Sequence, residues 1–82
     1  MGVKIFWKES CPKCPKAKEL GESLKKEGIH VNLFSLDEPG GLAEATFFSV
    51  MSTPTVIIEK EGKEVVSWRD RVPAVEEVKK FL

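Results

Sequence analysis

Two cysteines, Cys11 and Cys14, stand as Cys-Pro-Lys-Cys directly after a short apolar run and directly before a helical pattern, and they are the only cysteines in the chain. This placement constrains the fold more than any other feature, because it asks for a strand that ends where a helix begins. A thiol at a helix start feels the positive end of the backbone dipole and the unpaired N–H groups there, so its thiolate is favoured. A second thiol one turn further on is near enough to close a disulfide. In a strand–helix setting, C-x-x-C points to reversible dithiol–disulfide chemistry.

The rest of the chain narrows the setting. Eighty-two residues predict one small domain spanning 1–82, and a chain this short buries only roughly 60–65% of its unfolded surface. Thirteen basic residues balance thirteen acidic ones, which argues against a nucleic-acid binder, where a basic excess is expected. No apolar run is long enough to span a membrane. The start, Met-Gly-Val-Lys-Ile-Phe-Trp, lacks a signal-peptide pattern. Phe6 stands where N-myristoylation needs Ser or Thr. The expected compartment is the cytoplasm, where C-x-x-C is catalytic or metal-binding rather than a structural staple. The absence of Gln and the single Asn, Asn32, beside many Lys and Glu point to a hot environment.

Periodicity then places the elements. Val3 to Trp7 reads as a buried strand. Lys16 to Glu27 reads as a helix, with Ala17, Leu20 and Leu24 on one face and Gly28 ending it. Ile29 to Leu36 reads as a second strand, and Asp37-Glu38-Pro39-Gly40-Gly41 as a loop. Leu42 to Met51 suggests a shorter helix with Leu42, Ala45 and either Phe47 or Phe48 inward, broken by Ser52-Thr53-Pro54. Thr55 to Glu59 is a third strand, Glu61-Gly62-Lys63 a hairpin turn and Glu64 to Trp68 a fourth strand. Val72-Pro73 opens a last helix, with Pro73 near its first position and Val75, Val78 and Leu82 facing the sheet. The order is βαβαββα. Its first two strands, joined through a helix, are expected to be parallel, its last two antiparallel, and its helices to cover both faces of a four-stranded mixed sheet.

This order, with Cys-Pro-Lys-Cys at the first strand–helix junction and Thr53-Pro54 before the third strand, resembles the thioredoxin superfamily over essentially the whole chain. The small size and the run from Cys11 to Ala17 look like a glutaredoxin. The approach Phe6-Trp7-Lys8-Glu9-Ser10-Cys11 is similar to that of thioredoxins, with Trp7 on their aromatic position. Ser10 departs from the Trp usual there, and Ile5 stands where thioredoxins place a buried acid that helps proton transfer. The resemblance implies that Cys11 is the exposed nucleophile and Cys14 the shielded resolving thiol. It further implies a cis Pro54 beside the cysteines, and a Thr53 backbone that pairs with an extended stretch of substrate. Disulfide-containing proteins are then the expected substrates and a thioredoxin-reductase-like protein the expected partner, with no cofactor and a monomeric chain.

Competing readings stay open. Glutathione-using glutaredoxins show an aromatic between the cysteines and a Gly-Gly-Asp-like element after the hairpin. Here Lys13 and the segment Ser67-Trp68-Arg69-Asp70-Arg71 occupy those places. Lys8, Lys13 and the N–H groups near Thr53 supply part of a tripeptide site, and the segment offers Arg69 and Asp70 but no Gly-Gly-Asp turn, so weak glutathione binding is expected. A structural zinc site needs four protein ligands, and only His30 remains among nitrogen and sulfur donors, so a metal reading requires two chains. A redox-sensing or metal-handling module without turnover is the non-enzymatic alternative. Lys13 either lowers the thiolate pKa by proximity or is a solvated charge. Pro15 is expected to be tolerated at a helix start. His30 reads as a loop or strand-start residue, and Trp68 as a packing or surface aromatic.

Overall fold

The computed structural model describes residues 1–82. Its elements are β1 (Gly2–Trp7), α1 (Cys14–Lys26), β2 (Val31–Ser35), α2 (Pro39–Phe47), β3 (Thr55–Lys60), β4 (Lys63–Arg69) and α3 (Val75–Lys79). The strands form one sheet in the order β2-β1-β3-β4. β1 and β2 are parallel, while β1 pairs with β3 and β3 with β4 antiparallel. This is the expected four-stranded mixed sheet with three helices.

β1 and β3 are central and covered on both sides, which is why they read as continuous apolar runs. On one face Val3, Ile5, Val31, Val56, Ile58 and Trp68 pack against Ala17, Leu20 and Leu24 of α1 and Val78 of α3. On the other, Phe6 and Ile57 pack against Ala45, Phe48 and Val50 at α2 and its exit. Alternation along a strand sends neighbours to opposite faces, so Ile5 belongs to the first layer and Phe6 to the second.

Helix ends account for most departures from the sequence reading. α1 starts at Cys14, not Lys16, and Pro15 is accommodated as its second residue, where no intrahelical donor is lost. Its exit is a Schellman motif: Gly28 at φ 82°, with Gly28 N–H donating to the Lys25 carbonyl at 2.9 Å and Ile29 N–H to the Leu24 carbonyl at 3.1 Å. That capping takes Ile29 out of β2, which is shorter than expected.

α2 starts at Pro39 and ends at Phe47, so the presumed loop Pro39-Gly40-Gly41 is its first turn. Pro suits a first helical position. Gly41 is buried, and a Cβ on it would collide with the Ser35 backbone. The close approach of Gly41 to Ser35 sets the buried face of the helix through Gly41, Ala45 and Phe48. Leu42 is 52% exposed and Phe47 72%, whereas Ala45 and Phe48 are buried; Leu42 therefore does not face inward. α2 leaves through the same capping motif as α1, with Ser49 at φ 57° in place of glycine, and Val50 N–H reaching the Ala45 carbonyl at 2.8 Å.

The hairpin turns through Glu61 and Gly62 at φ 54° and 80°, both positive as a tight two-residue turn requires. α3 begins at Val75, with Pro73 buried ahead of the N-cap Ala74, so Pro73 is not its first residue. Leu82 is exposed and does not face the sheet, because the helix ends at Lys79. Trp68 is in the core, with its indole N–H donating to Glu77 Oε2 at 3.2 Å and Phe81 edge-on to its ring. No helix is long and apolar enough to cross a membrane.

Candidate active site

β1 delivers its last residue, Trp7, to the end of the sheet where α1 starts. Between them Lys8, Glu9 and Ser10 form a loop held at two points. Leu36 N–H donates to the Trp7 carbonyl at 2.9 Å. Glu9 N–H donates to Asp37 Oδ2 at 2.8 Å, and Asp37 N–H in turn donates to Ser35 Oγ at 3.2 Å. Ser10 then turns the chain at φ 62°, a left-handed conformation that non-glycine residues adopt at some cost.

The turn from Cys11 to Cys14 is closed by Cys14 N–H donating to the Cys11 carbonyl at 3.2 Å. Cys14 is the first residue of α1 and Lys13 its N-cap. Cys11 therefore precedes the helix by three residues and lies over its N-terminal end. The two Cα atoms are 5.3 Å apart and the sulfurs are bonded to each other. The thiol positions are unequal: Cys14 is 2% exposed and Cys11 is half-buried. The cause is local, since Cys14 lies on the apolar face of α1 with Ala17, while Cys11 is on the turn outside it.

A cleft of about 250 Å³ opens beside the pair, lined by Trp7, Lys8, Glu9, Ser10, Cys11, Cys14, Pro15 and Lys18. Trp7 is thus brought to the cysteines. Lys13 is exposed and outside the cleft. Thr53 and Pro54 do not line it either. The pairing of Phe6 with Thr55 puts them at the same end of the sheet as Trp7, one and two positions beyond the ladder. The Thr53–Pro54 bond is cis, Pro54 is buried and Thr53 half-buried, and Thr53 Oγ1 is buried without a hydrogen-bond partner.

Ile5, where the resemblance implies a buried acid, is fully buried and packs with Leu33 toward Gly21 of α1. Arg69, offered by the sequence as a ligand for a tripeptide, is engaged. Its guanidinium donates to the Phe48 and Ser49 carbonyls, each at 3.2 Å, and to Glu64 Oε1 at 2.8 Å. No group of three or more His, Cys, Asp or Glu side chains is placed to hold a metal ion.

Comparison with known proteins agrees with this geometry. The family described as thioredoxin domain matches residues 1–82. The chain belongs to the thioredoxin domain family. It is 37% identical over 60 residues to a thioredoxin of Chlamydia trachomatis serovar D, an alignment covering 73% of this chain and 59% of that protein. The chain thus spans less than two thirds of that relative. Thioredoxin 1 from the thermophilic eubacterium Thermosipho africanus superposes with a TM-score of 0.69 at 21% identity, covering 98% of this chain and 88% of the other. A thioredoxin from Thermus thermophilus gives 0.66 at 26% identity, covering 95% and 68%. The four-stranded mixed sheet with three helices is the thioredoxin fold.

Two contributors to this thioredoxin-domain site escaped the sequence reading. Lys18 sits with its Nζ 3.4 Å from the centroid of the Trp7 ring. Its spacing of four from Cys14 was a usable signal, because i and i+4 share a helix face. Asp37, which holds the loop before Cys11, is distant in sequence and carried no such signal.

Proposed function

We propose that this chain is a thiol–disulfide oxidoreductase that reduces disulfides in proteins and is recharged by a thioredoxin-reductase-like partner. The observation that carries the reading is the bonded Cys11–Cys14 pair with one sulfur at the mouth of a cleft and the other shielded. In the reduced protein, the Cys11 thiolate attacks one sulfur of a substrate disulfide, forming a mixed disulfide and releasing the other sulfur as a thiolate. Cys14 then loses its proton and attacks Cys11 Sγ. The Cys11–Cys14 bond forms, the mixed disulfide breaks, and the substrate leaves fully reduced. Two electrons have passed from the dithiol to the substrate, and the partner's dithiol restores them by the same exchange in reverse.

Thr53 is assigned to substrate binding through its backbone, beside Pro54, and Trp7 to the cleft wall. Residues 1–82 act as one domain, a reading supported by the family match over the full range, and a monomer in the cytoplasm is the setting proposed for it. Glutathione is disfavoured as reductant because Arg69 is already bonded to two carbonyls and Glu64. The deciding experiment is turnover of a disulfide-linked protein substrate with thioredoxin reductase and NADPH, compared with glutathione and its reductase. Faster turnover with glutathione identifies a glutaredoxin instead. No turnover with either or with dithiothreitol leaves a redox-sensing or metal-handling module.

A further inference from the structure

With Ile5 in place of a buried acid, side-chain stabilisation of the thiolate, beyond that of the helix start, falls to groups lining the cleft. Apart from the cysteines, the charged side chains lining it are Lys8, Glu9 and Lys18. Lys8 and Glu9 are exposed, and so is Lys13 between the cysteines, on the outer side of the turn. Asp37 faces this loop from the β2–α2 turn and is committed to the Glu9 N–H. The neighbouring Thr53-Pro54 segment brings no charge. Lys18 alone among these is held, half-buried, by an aromatic face.

We propose that Lys18, rather than Lys13, is the electrostatic partner of the redox pair, a positioning residue that favours the thiolate on Cys11. The argument rests on three observations. Lys18 lies one helical turn beyond Cys14 and lines the same cleft as the two cysteines. Its ammonium is held 3.4 Å from the centroid of Trp7, a cation–π contact that limits its freedom to swing into water. Ile5, fully buried and aliphatic, stands where the resemblance implies an acid, so no carboxylate at that position offsets the ammonium. An ammonium held in a partly dry cleft acts on a nearby sulfur through less screening solvent than one on the open surface, where a charge is diluted by water and salt. Lys13 is nearer in sequence but exposed and outside the cleft, so its field is more strongly screened.

The proposal deepens the oxidoreductase reading but is tested without turnover, so failure of one is distinguishable from failure of the other. In the reduced protein, Cys11 alkylation by iodoacetamide and thiolate absorbance near 240 nm are followed against pH for wild type, Lys18→Met, Lys18→Arg and Lys13→Met. Methionine keeps the apolar stem against Trp7, and circular dichroism confirms that each variant is folded. Lys18→Met is expected to move the midpoint to higher pH and to slow alkylation at neutral pH by about three- to tenfold. At high pH, where the thiol is fully ionised, its rate should rejoin that of wild type. Lys18→Arg and Lys13→Met should remain within about twofold of wild type. A Lys18→Met profile that superimposes on wild type, or a Lys13→Met shift as large as that of Lys18→Met, overturns the assignment.

Discussion

Gly40 and Gly41 are adjacent in one helix, yet alanine at the two positions should act in opposite directions. At Gly41 a Cβ would fall on the carbonyl oxygen of Ser35, with the carbonyl carbon and nitrogen of the same residue also too close. All three atoms are backbone in a strand paired with β1, so no side chain can rotate away. The helix must lift off the sheet, loosening Ala45, Phe48 and Val50 from Phe6 and Ile57. Overpacking of a tight core costs about 1–3 kcal/mol, and a backbone obstacle places Gly41→Ala at the upper end. With about 4–8 °C of melting temperature per kcal/mol in a domain of this size, the expected fall is roughly 12–24 °C. At Gly40 a Cβ meets nothing within 4 Å, and alanine there should gain about 0.5–1 kcal/mol from helix propensity alone. Thermal unfolding followed by circular dichroism, with urea titration for the free energies, measures both. Equal effects at the two positions, or a Gly41→Ala protein as stable as wild type, would refute the close approach of α2 to β2.

Other consequences are open to direct measurement. In the reduced protein Cys11 should alkylate at least tenfold faster than Cys14, which is 2% exposed; peptide mapping after brief labelling distinguishes them, and equal labelling contradicts the assigned roles. Cys14→Ser should accumulate a mixed disulfide with substrate, seen on a non-reducing gel, while Cys11→Ser should lose turnover altogether. Arg69→Ala should uncover the Phe48 and Ser49 carbonyls and destabilise the protein by about 1–2 kcal/mol, with faster amide exchange around Val50. Glu77 has its pKa lowered from 4.5, first by the hydrogen bond from Arg71 and against a desolvation effect that raises it. A depressed carboxylate stabilises the fold above its unfolded value and loses that contribution as pH falls through the folded one. Glu77→Gln should therefore flatten the acid limb of a melting-temperature profile below about pH 4.5, and an unchanged limb argues against the Arg71 pairing.

Elements whose burial is uniform are legible in the sequence. β1 and β3 are covered on both sides, so their apolar runs left little choice, and the Ala17, Leu20 and Leu24 stripe of α1 buries as its spacing demands. Boundaries were less legible because a local signal had two meanings. Pro39-Gly40-Gly41 is strong turn chemistry, but proline also suits a helix start and Gly41 is needed for contact with Ser35, a partner the sequence does not reveal. Ser49 hid the end of α2 because it occupies a left-handed position usually held by glycine. At the site, the cysteine pair followed from motif and element order, and the cis Thr53–Pro54 bond from the family resemblance. The grip of Asp37 on the Glu9 amide, 28 residues away, follows from neither. Lys13 attracted attention by adjacency alone, while the cleft is lined by Lys18.

The Cys11–Cys14 bond spans a sequence separation of only three. A cross-link stabilises a fold by an amount that grows with the logarithm of the length of unfolded chain it ties together, and so compact a loop sits at the low end of that range, about 2 kcal/mol against roughly 5 for a hundred-residue loop. The turn that brings the cysteines together is already held by the helix start and the Cys14 amide, so the architecture does not lean on the bond it makes and breaks. Oxidised and reduced forms can then share one scaffold, and the chain can load and unload its electron pair many times without passing through an unfolded state.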